Sequence, residues 1–276
     1  IGRARERMES FDFGEARFDL DAERDRSVLR FVLSQALFGE ATGVYCGLSL
    51  YSAQTLEAAQ FYVKQARQEL NHLLLFADIF RALELSPLPP HWVIRVLAAH
   101  NDYYPLKVLM EHALGEGMVL DIFRDVLLQT LPEADPRTAG IKKKLAVICK
   151  EEEEHVAWGE KETRRIVGEH AWLKPAFYGL LELQLWLVPF AVRGLKQRAP
   201  DHPVLAQLDA FVAHVQRRVW RQGQALGFVP AQRPGLLKRS GALALGVGLL
   251  LRSQFARSRS RHDRSYIEQL GFGRSG

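Results

Sequence analysis

Apolar residues recur along the chain at steps of three, four and seven, the spacing that places them on one face of an α-helix. Four long stretches with this period predict four long helices, at about residues 25–50, 55–85, 105–131 and 138–169. Three further helices are predicted at about residues 91–99, 175–198 and 203–226. Prolines stand between several of these stretches, where a helix is expected to end. The pattern predicts an all-α fold.

Each of the four long stretches carries one glutamate on its apolar face, where a charge is rarely buried without a partner. These glutamates are Glu40, Glu69, Glu116 and Glu152. Glu116 keeps the apolar rhythm of its stretch, whereas Glu111 lies well round the helix, so we expect Glu116 to point inward. For Glu40, the alternative is an inward glutamate paired with a core arginine.

Two of the glutamates stand three residues before a histidine, and this spacing puts each pair on one face of its helix. His72 follows Glu69, and His155 follows Glu152. One such pair alone is best explained as a solvated surface pair, but two pairs with two further inward glutamates form the ligand set of carboxylate-bridged dimetal bundles. The expected metal ligands, which are also the expected catalytic residues, are Glu40, Glu69, His72, Glu116, Glu152 and His155.

The charge of this set indicates which metals it would bind. Four carboxylates are neutralised by two divalent ions, so the site can exist in an apolar core. Oxygen and imidazole ligands suit two iron ions, with manganese or a mixed manganese and iron pair as alternatives. We expect Glu69 and Glu152 to bridge the metals. The other ligands divide into Glu40 with His72 on one metal and Glu116 with His155 on the other.

Over residues 25–170 this pattern resembles the ferritin-like di-iron carboxylate superfamily, in its oxygenase or oxidase branch. The resemblance implies a ferritin-like four-helix bundle with additional C-terminal helices. Ferritins proper lack the second histidine, and rubrerythrins carry a CxxC iron domain that this chain lacks. Oxygenases of the superfamily often have Asp or Glu just before each metal-binding glutamate; here Glu151 fits, and Gln68 departs from the pattern.

The resemblance implies a non-haem di-iron monooxygenase or oxidase that uses O2 to oxidise a small organic substrate, by hydroxylation, N-oxygenation, deformylation or desaturation. Electrons would come from a separate reductase or ferredoxin, because the sequence has no flavin, nicotinamide or iron–sulfur motif. The alternative is an iron-binding or ferroxidase protein without an organic substrate, which predicts a narrow bundle without a cavity. A homodimer is compatible with the first function, and a cage-like assembly is expected for the second.

Several residues near the expected ligands allow two interpretations. Glycine inside a helix costs roughly 1 kcal/mol relative to alanine, so the glycines beside Glu40 and Glu116 indicate either space for O2 and a substrate or close helix packing. These glycines are Gly39, Gly43, Gly115 and Gly117. We expect His112 to be a polar residue at the edge of its helix face, with a third imidazole of the site as the alternative. Glu182 is expected at a helix interface rather than among the ligands.

The length of 276 residues fits one domain with additions. The expected parts are an N-terminal arm (1–24) that packs loosely or not at all, the bundle (25–170), accessory helices (171–230) and a basic tail (231–276). The two cysteines, Cys46 and Cys149, are far apart and indicate no disulfide framework. The N-terminal sequence has no apolar run typical of a secretion signal, so we expect a cytoplasmic protein.

The net charge of +5 arises in the predicted tail, which holds nine Arg and Lys against two acids. Its uncharged segment, residues 240–251, is shorter than the roughly 20 residues that span a bilayer. The segment is expected to complete the domain, to lie on a membrane surface or to pack on a partner. The tail thereby adds a third function class: a membrane-docked lipid or quinone hydroxylase, or a tRNA hydroxylase held by the basic residues.

Overall fold

The computed structural model describes residues 10–92, 103–199 and 201–255, and these residues form helices joined by short connections, with no strand among them. The all-α prediction is therefore confirmed for this part of the chain. The long helices are α1 (Glu23–Gly43), α2 (Leu56–Ala82), α3 (residues 104–130), α4 (Pro136–Glu169), α5 (Lys174–Arg198), α6 (Leu208–Ala225) and α7 (Leu236–Phe255). Most of the short helix predicted at about residues 91–99 (residues 93–99) and the end of the predicted tail lie outside the described residues.

The helix ends follow local sequence signals. The Thr55 hydroxyl accepts a hydrogen bond from the backbone N–H of Ala58 and caps α2, and Asp135 caps α4 in the same way, ahead of a proline in the first turn. The prediction that the first long helix runs to residue 50 is wrong at the C-terminal end, because α1 ends at Gly43. The chain changes there to tighter 3₁₀ turns over Val44–Tyr51, a common way for a helix to terminate.

α3 is the irregular long helix. Two π-helical segments, Val108–Gly115 and Ile122–Leu127, flank a short α-helical stretch, Glu116–Asp121. A π turn holds more residues than an α turn, so side chains beyond it shift around the helix relative to a regular period of 3.6. The sequence pattern had predicted a uniform α-helix here.

The first helices pack pairwise, α1 on α2, α2 on α4, and α3 on α4. Their contact surfaces bury large side chains, among them Tyr62, Phe76 and Phe123. Burial of such apolar side chains is the main stabilising contribution to the fold.

The N-terminal arm is packed into the core, so the prediction of a loose arm is wrong for residues 10–22. Phe13 and Phe18 are 1% and 2% exposed. The backbone N–H of Phe18 donates to the carbonyl of Thr130 at the end of α3, and the Phe13 ring contacts Phe211 of α6. The scattered aromatic residues of the arm therefore cover the junction between α3 and α6.

The end of the described chain also differs from prediction, because residues 236–255 form α7, which packs along α5 and is not a tail. The two helices approach closely at glycines. A Cβ on Gly179 would collide with the backbone of Ala242, and one on Gly246 would lie 2.8 Å from the backbone nitrogen of Leu180. Of the alternatives for the apolar segment, packing within the fold is the one observed.

The contact between α5 and α7 includes a buried carboxylate. Glu182 of α5 forms ion pairs with Arg239 at 2.8 Å and Arg233 at 3.1 Å and accepts a hydrogen bond from the Tyr178 hydroxyl at 2.7 Å. The interfacial position predicted for Glu182 is confirmed.

One stretch, Ala171–Gln197, is long and apolar enough to cross a membrane when judged by length and composition alone. Its most apolar window is 62% buried against the rest of the protein. The core helix of a protein without membrane spans passes the same test, so the stretch is weak evidence for a membrane segment.

Candidate metal centre

Four helices bring six acidic and imidazole side chains together in the interior. One group consists of Glu40, Glu69, His72 and Glu152, and the other of Glu69, Glu116, Glu152 and His155. Within each group, one ligand atom from every residue lies within 4.8 Å of the others. Glu69 and Glu152 belong to both groups, so the two clusters are contiguous and share two carboxylates.

Helix periodicity and one glycine position these side chains. The i, i+3 spacing on α2 and on α4 directs each Glu-x-x-His pair to one side of its helix. Gly43, three residues after Glu40 on α1, faces the carboxyl group of Glu69. A Cβ at Gly43 would lie 2.5 Å from the Glu69 carboxyl carbon. The absence of a side chain at Gly43 therefore lets α1 and the Glu69 carboxylate approach.

The imidazole of His72 is held at both nitrogens. Its Nδ1 lies 2.8 Å from Glu40 and 3.2 Å from Glu152. Its Nε2 lies 2.8 Å from Glu151, which is a quarter exposed at the outer edge of the cluster. With Nε2–H donating a hydrogen bond to Glu151, Nδ1 is the nitrogen that faces the cluster. Glu151, the acidic residue just before Glu152, thus contacts α2 beside the cluster.

His155 has the same arrangement with a neutral outer partner. Its Nδ1 lies 3.3 Å from Glu152 and 3.4 Å from Glu69, and its Nε2 lies 3.0 Å from the amide oxygen of Gln68. Gln68 thus provides the acceptor that a carboxylate provides to His72. The departure from the acidic pattern at Gln68 changes the charge beside His155 and keeps the hydrogen bond.

Burial of so many carboxylates leaves the cluster short of positive charge. Among the described residues, no lysine or arginine forms an ion pair with Glu40, Glu69, Glu116 or Glu152. The alternative of a core arginine beside Glu40 is therefore wrong. Burial and the nearby charge of Glu152 raise the pKa of both Glu40 and Glu116.

The pKa values of the two histidines of the cluster are also raised. Burial on its own lowers the pKa of His155, but interactions with Glu116 and Glu152 outweigh it and raise this pKa to about 11. The pKa of His72 is raised for the same reason, through Glu152 and Glu40. Without bound metal, the protonated imidazoles therefore supply positive charge beside the four carboxylates. The four carboxylates and two imidazoles could hold metal ions, and their oxygen and nitrogen donors fit divalent iron or manganese.

Gln65 belongs to the centre and was missed by sequence reasoning. Its amide nitrogen donates to Glu116 at 2.8 Å and to Glu69 at 3.3 Å. It stands one helical turn before Glu69, and this spacing was the signal that could have identified it.

The structure overturns the prediction that His112 is a polar edge residue. The side chain is fully buried, with Nδ1 at 3.3 Å from the Gln65 amide and 3.6 Å from Glu116. Its ring packs edge-on against Phe61 and Trp158. The physical reason is the π-helical segment that contains it, because the extra residue per turn moves His112 off the edge that a regular helix predicts.

A further group adjoins the cluster on the side of His112. Cys46, Glu111 and His112 each have a ligand atom within 4.8 Å of the others. The Cys46 thiol donates to Glu111 at 2.7 Å, and the buried Lys107 ammonium donates to the other carboxylate oxygen. Glu111, which the apolar rhythm excluded from the cluster, is thus neutralised by a lysine.

An apolar cavity of about 330 Å³ reaches the cluster from one side. It meets the carboxylates of Glu40, Glu69 and Glu116, and it is lined by residues of α1, α3, α5 and α7. Glu116, at 10% exposed, is the most accessible of the four carboxylates because it faces this space.

The glycines beside the ligands were predicted to provide either space for O2 and a substrate or close helix packing, and both are found. Gly39, Gly43 and Gly115 line the cavity. A Cβ on Gly39 would meet nothing within 4 Å, whereas one on Gly117 would lie 3.3 Å from the Arg218 guanidinium. Space beside the cluster therefore accounts for Gly39, and close packing accounts for Gly117.

No protein-family model matches the chain, and a search of curated proteins found no match either.

Proposed function

We propose that α1–α4 form a ferritin-like four-helix bundle and that the protein is a non-haem di-iron, O2-dependent oxygenase or oxidase of a small organic substrate. One observation carries the proposal: a buried set of four carboxylates and two imidazoles opens directly onto an apolar cavity. A metal pair that reacts with O2 next to such a cavity can oxidise an organic molecule bound there.

The ligand roles follow from the shared carboxylates. Glu69 and Glu152, which belong to both groups, would hold both ions, with Glu40 and His72 completing one set and Glu116 and His155 the other. Iron bound there would supply the reduction of O2, and manganese or a mixed pair fits the same donors. Glu151 and Gln68 would fix the orientations of the two imidazoles.

The proposed reaction requires two partners besides O2. The first is a neutral or apolar organic molecule in the cavity. The second is a reductase or ferredoxin that delivers electrons. Iron storage or ferroxidase activity without an organic substrate is the rival, and it predicts a bundle without a cavity. The apolar space at Glu40, Glu69 and Glu116 favours the oxygenase.

Metal analysis tests the proposal. Protein reconstituted anaerobically with ferrous iron is expected to bind two irons per chain and to change its optical spectrum when O2 is added. Glu152→Ala should lose nearly all of this iron, whereas Glu153→Ala, at the exposed neighbouring position on α4, should retain it. Equal iron in the two variants would refute the site, and absence of iron from the unaltered protein would refute the function.

Membrane contact is a separate proposal with its own observation. α7 leaves Leu236, Leu237 and Leu251 more than half exposed, beside the exposed basic residues Lys238 and Arg252. An apolar and basic helix surface of this kind binds anionic membranes. Flotation with anionic vesicles should recover the protein, and Leu236→Ser with Leu237→Ser should reduce the recovery. Truncation of α7 is not a suitable test, because it would also uncover α5.

A further inference from the structure

The outer side of the cavity at the carboxylate cluster is lined by helices that do not contribute ligands. Leu183, Leu187 and Leu195 of α5 and Leu250 of α7 form this outer wall. At about 30 Å³ for each water-sized group, a space of this volume accommodates roughly eleven non-hydrogen atoms. Its size and lining suit one aliphatic chain of moderate length.

The charges in the wall argue against a charged occupant. Apart from the carboxylate cluster, the ionic side chains that line the described cavity are Lys107 and Glu111, together with the imidazole of His91. Lys107 and Glu111 form an ion pair with each other. Two divalent ions would neutralise the carboxylate cluster, so a substrate carboxylate or ammonium group would lose its hydration without gaining an unpaired counter-charge, which is costly in an apolar site.

One polar side chain in the wall has hydrogen-bonding capacity to spare. Gln184 is 2% exposed and lies in the apolar run of α5, and its Oε1 is buried with no hydrogen-bond partner. Its Nε2 contacts only a weak acceptor, the sulfur of Met118, at 3.4 Å. An unpaired buried amide oxygen is destabilising. Because Gln184 lines the cavity, a group bound in the cavity can supply the missing partner.

The other amide and hydroxyl groups of the wall are already bonded. The oxygen of Gln35 accepts from the backbone N–H of His91 at 2.6 Å, and the Thr42 hydroxyl donates to the carbonyl of Phe38 at 2.9 Å. Gln184 thus differs from Gln35, a second glutamine in the same wall. Its neighbour Met118 stands two residues after Glu116, which places the free amide on the side of the cavity formed by α3 and α5.

We propose that Gln184 binds the single uncharged polar group of an otherwise aliphatic substrate, whose hydrocarbon part extends to Glu40, Glu69 and Glu116. The substrate class is a neutral medium-chain molecule that carries an O–H or N–H donor, such as an alcohol or an amide, because the free atom of Gln184 is an acceptor. This inference rests on the proposed function and specifies its substrate. Gln184 acts as a specificity-determining residue that orients the chain toward the cluster.

Ligand binding tests this role without turnover. Calorimetry with 1-decanol, decane and decanoate is carried out on manganese-loaded protein and on metal-free protein, for the unaltered chain and for Gln184→Leu. On the metal-free protein we expect decanoate to bind at least about tenfold more weakly than 1-decanol, because Lys107, the lysine in the described lining, is already paired with Glu111. The alcohol-to-alkane affinity ratio should fall by about tenfold in Gln184→Leu, which corresponds to one hydrogen bond.

Two controls separate the hydrogen bond from changes in shape. Leu187→Met alters the same wall at nearly constant volume and should keep the alcohol-to-alkane ratio. Thermal unfolding of Gln184→Leu should show no loss of stability, because the substitution removes an unsatisfied amide.

Each result decides the question. An unchanged alcohol-to-alkane ratio in Gln184→Leu, equal binding of decanoate and 1-decanol, or no binding of any probe would overturn the assignment of Gln184. Manganese content measured on the same samples reports on the proposed metal centre independently. Failure of the metal centre and failure of the substrate assignment are thereby distinguished.

Discussion

The two sides of the carboxylate cluster are built from different kinds of helix. α2 and α4 are continuous α-helices, and together they provide both Glu-x-x-His pairs. On the other side, α1 changes to 3₁₀ turns after Gly43, and α3 contains two π-helical segments around Glu116. The regular side contributes both imidazoles, and the irregular side contributes the single glutamates and borders the cavity. Both imidazoles thus lie on regular helices, whereas the cavity is bordered mainly by the irregular ones.

The largest effect is expected where the regular side meets the irregular one. A Cβ on Gly159 of α4 would lie 2.6 Å from the backbone of His112 in the first π segment. Gly159→Ala should therefore force α3 away and lower the free energy of unfolding by about 3 kcal/mol, measured by urea denaturation. Gly140→Ala on the same helix meets nothing within 4 Å and should stabilise the protein by about 0.5–1 kcal/mol. Equal effects of the two substitutions would show that α3 is not held against α4 here.

The next largest effect is expected at the contact between α5 and α7, the helices that line the cavity outside α1 and α3. Burial raises the pKa of Glu182, but hydrogen bonds from Arg239, Arg233 and Tyr178 outweigh it and lower this pKa to about 2 from an ordinary value of 4.5. A depressed carboxyl pKa contributes stability above the unfolded-state value, and the contribution is lost as pH falls toward 2. Glu182→Gln should lower stability by about 2 kcal/mol near pH 7.

The pH profile supplies the control for Glu182. The difference in unfolding free energy between the unaltered protein and Glu182→Gln should be constant above about pH 5 and shrink between pH 5 and pH 2. Urea denaturation across this range measures it. A difference that does not depend on pH would indicate that the Glu182 carboxylate is not ion-paired with α7.

A smaller effect is expected within the regular side, where the two imidazoles have different outer partners. Glu151→Ala removes the acceptor on Nε2 of His72 and should weaken metal binding by about tenfold. The matched control is Glu154→Ala, on the same helix as Glu151, which removes a surface ion pair with Lys64 of α2. This substitution should leave the metal affinity unchanged. Anaerobic titration with manganese measures both. Identical affinities would mean that Glu151 does not orient His72.

The smallest effect is expected at the cavity wall of α1. Gly39→Ala places a methyl group where nothing lies within 4 Å, so it should stabilise the helix by about 0.5–1 kcal/mol. Metal content should not change, whereas the affinity for 1-decanol should decrease because the cavity becomes smaller. Calorimetry and metal analysis on one preparation check both outcomes. A loss of metal would indicate that Gly39 is needed to position the metal ligands and does not simply leave space for the substrate.

Sequence reasoning succeeded where the helices are regular. The apolar stripes selected six residues, and the structure brings all six together. Four of them lie on α2 and α4, where a period of 3.6 holds throughout. The same reasoning failed at His112, where π turns change the period, and it overlooked Gln65, although that residue lies one turn from Glu69 on the same face. No periodicity rule could have located the cavity, since it depends on how α5 and α7 pack outside the ligand-bearing helices.

The ends of the chain were mispredicted for a different reason. Residues 10–22 and 236–255 lack a regular apolar stripe, so their sequence pattern alone predicts an arm and a tail. Their burial depends on surfaces formed by distant parts of the chain, such as Phe211 for the arm and Gly179 for α7. Contacts of this kind cannot be derived from helical periodicity.

The outer partners of the two imidazoles also give the centre a reciprocal symmetry. The residue before Glu152 on α4 contacts His72 of α2, and the residue before Glu69 on α2 contacts His155 of α4. Exchange of the two helices would map one contact onto the other, except that Glu151 is an anion and Gln68 is neutral. The symmetry of these outer contacts is therefore broken by one unit of charge, and the two halves of the centre are inequivalent before any ligand arrives.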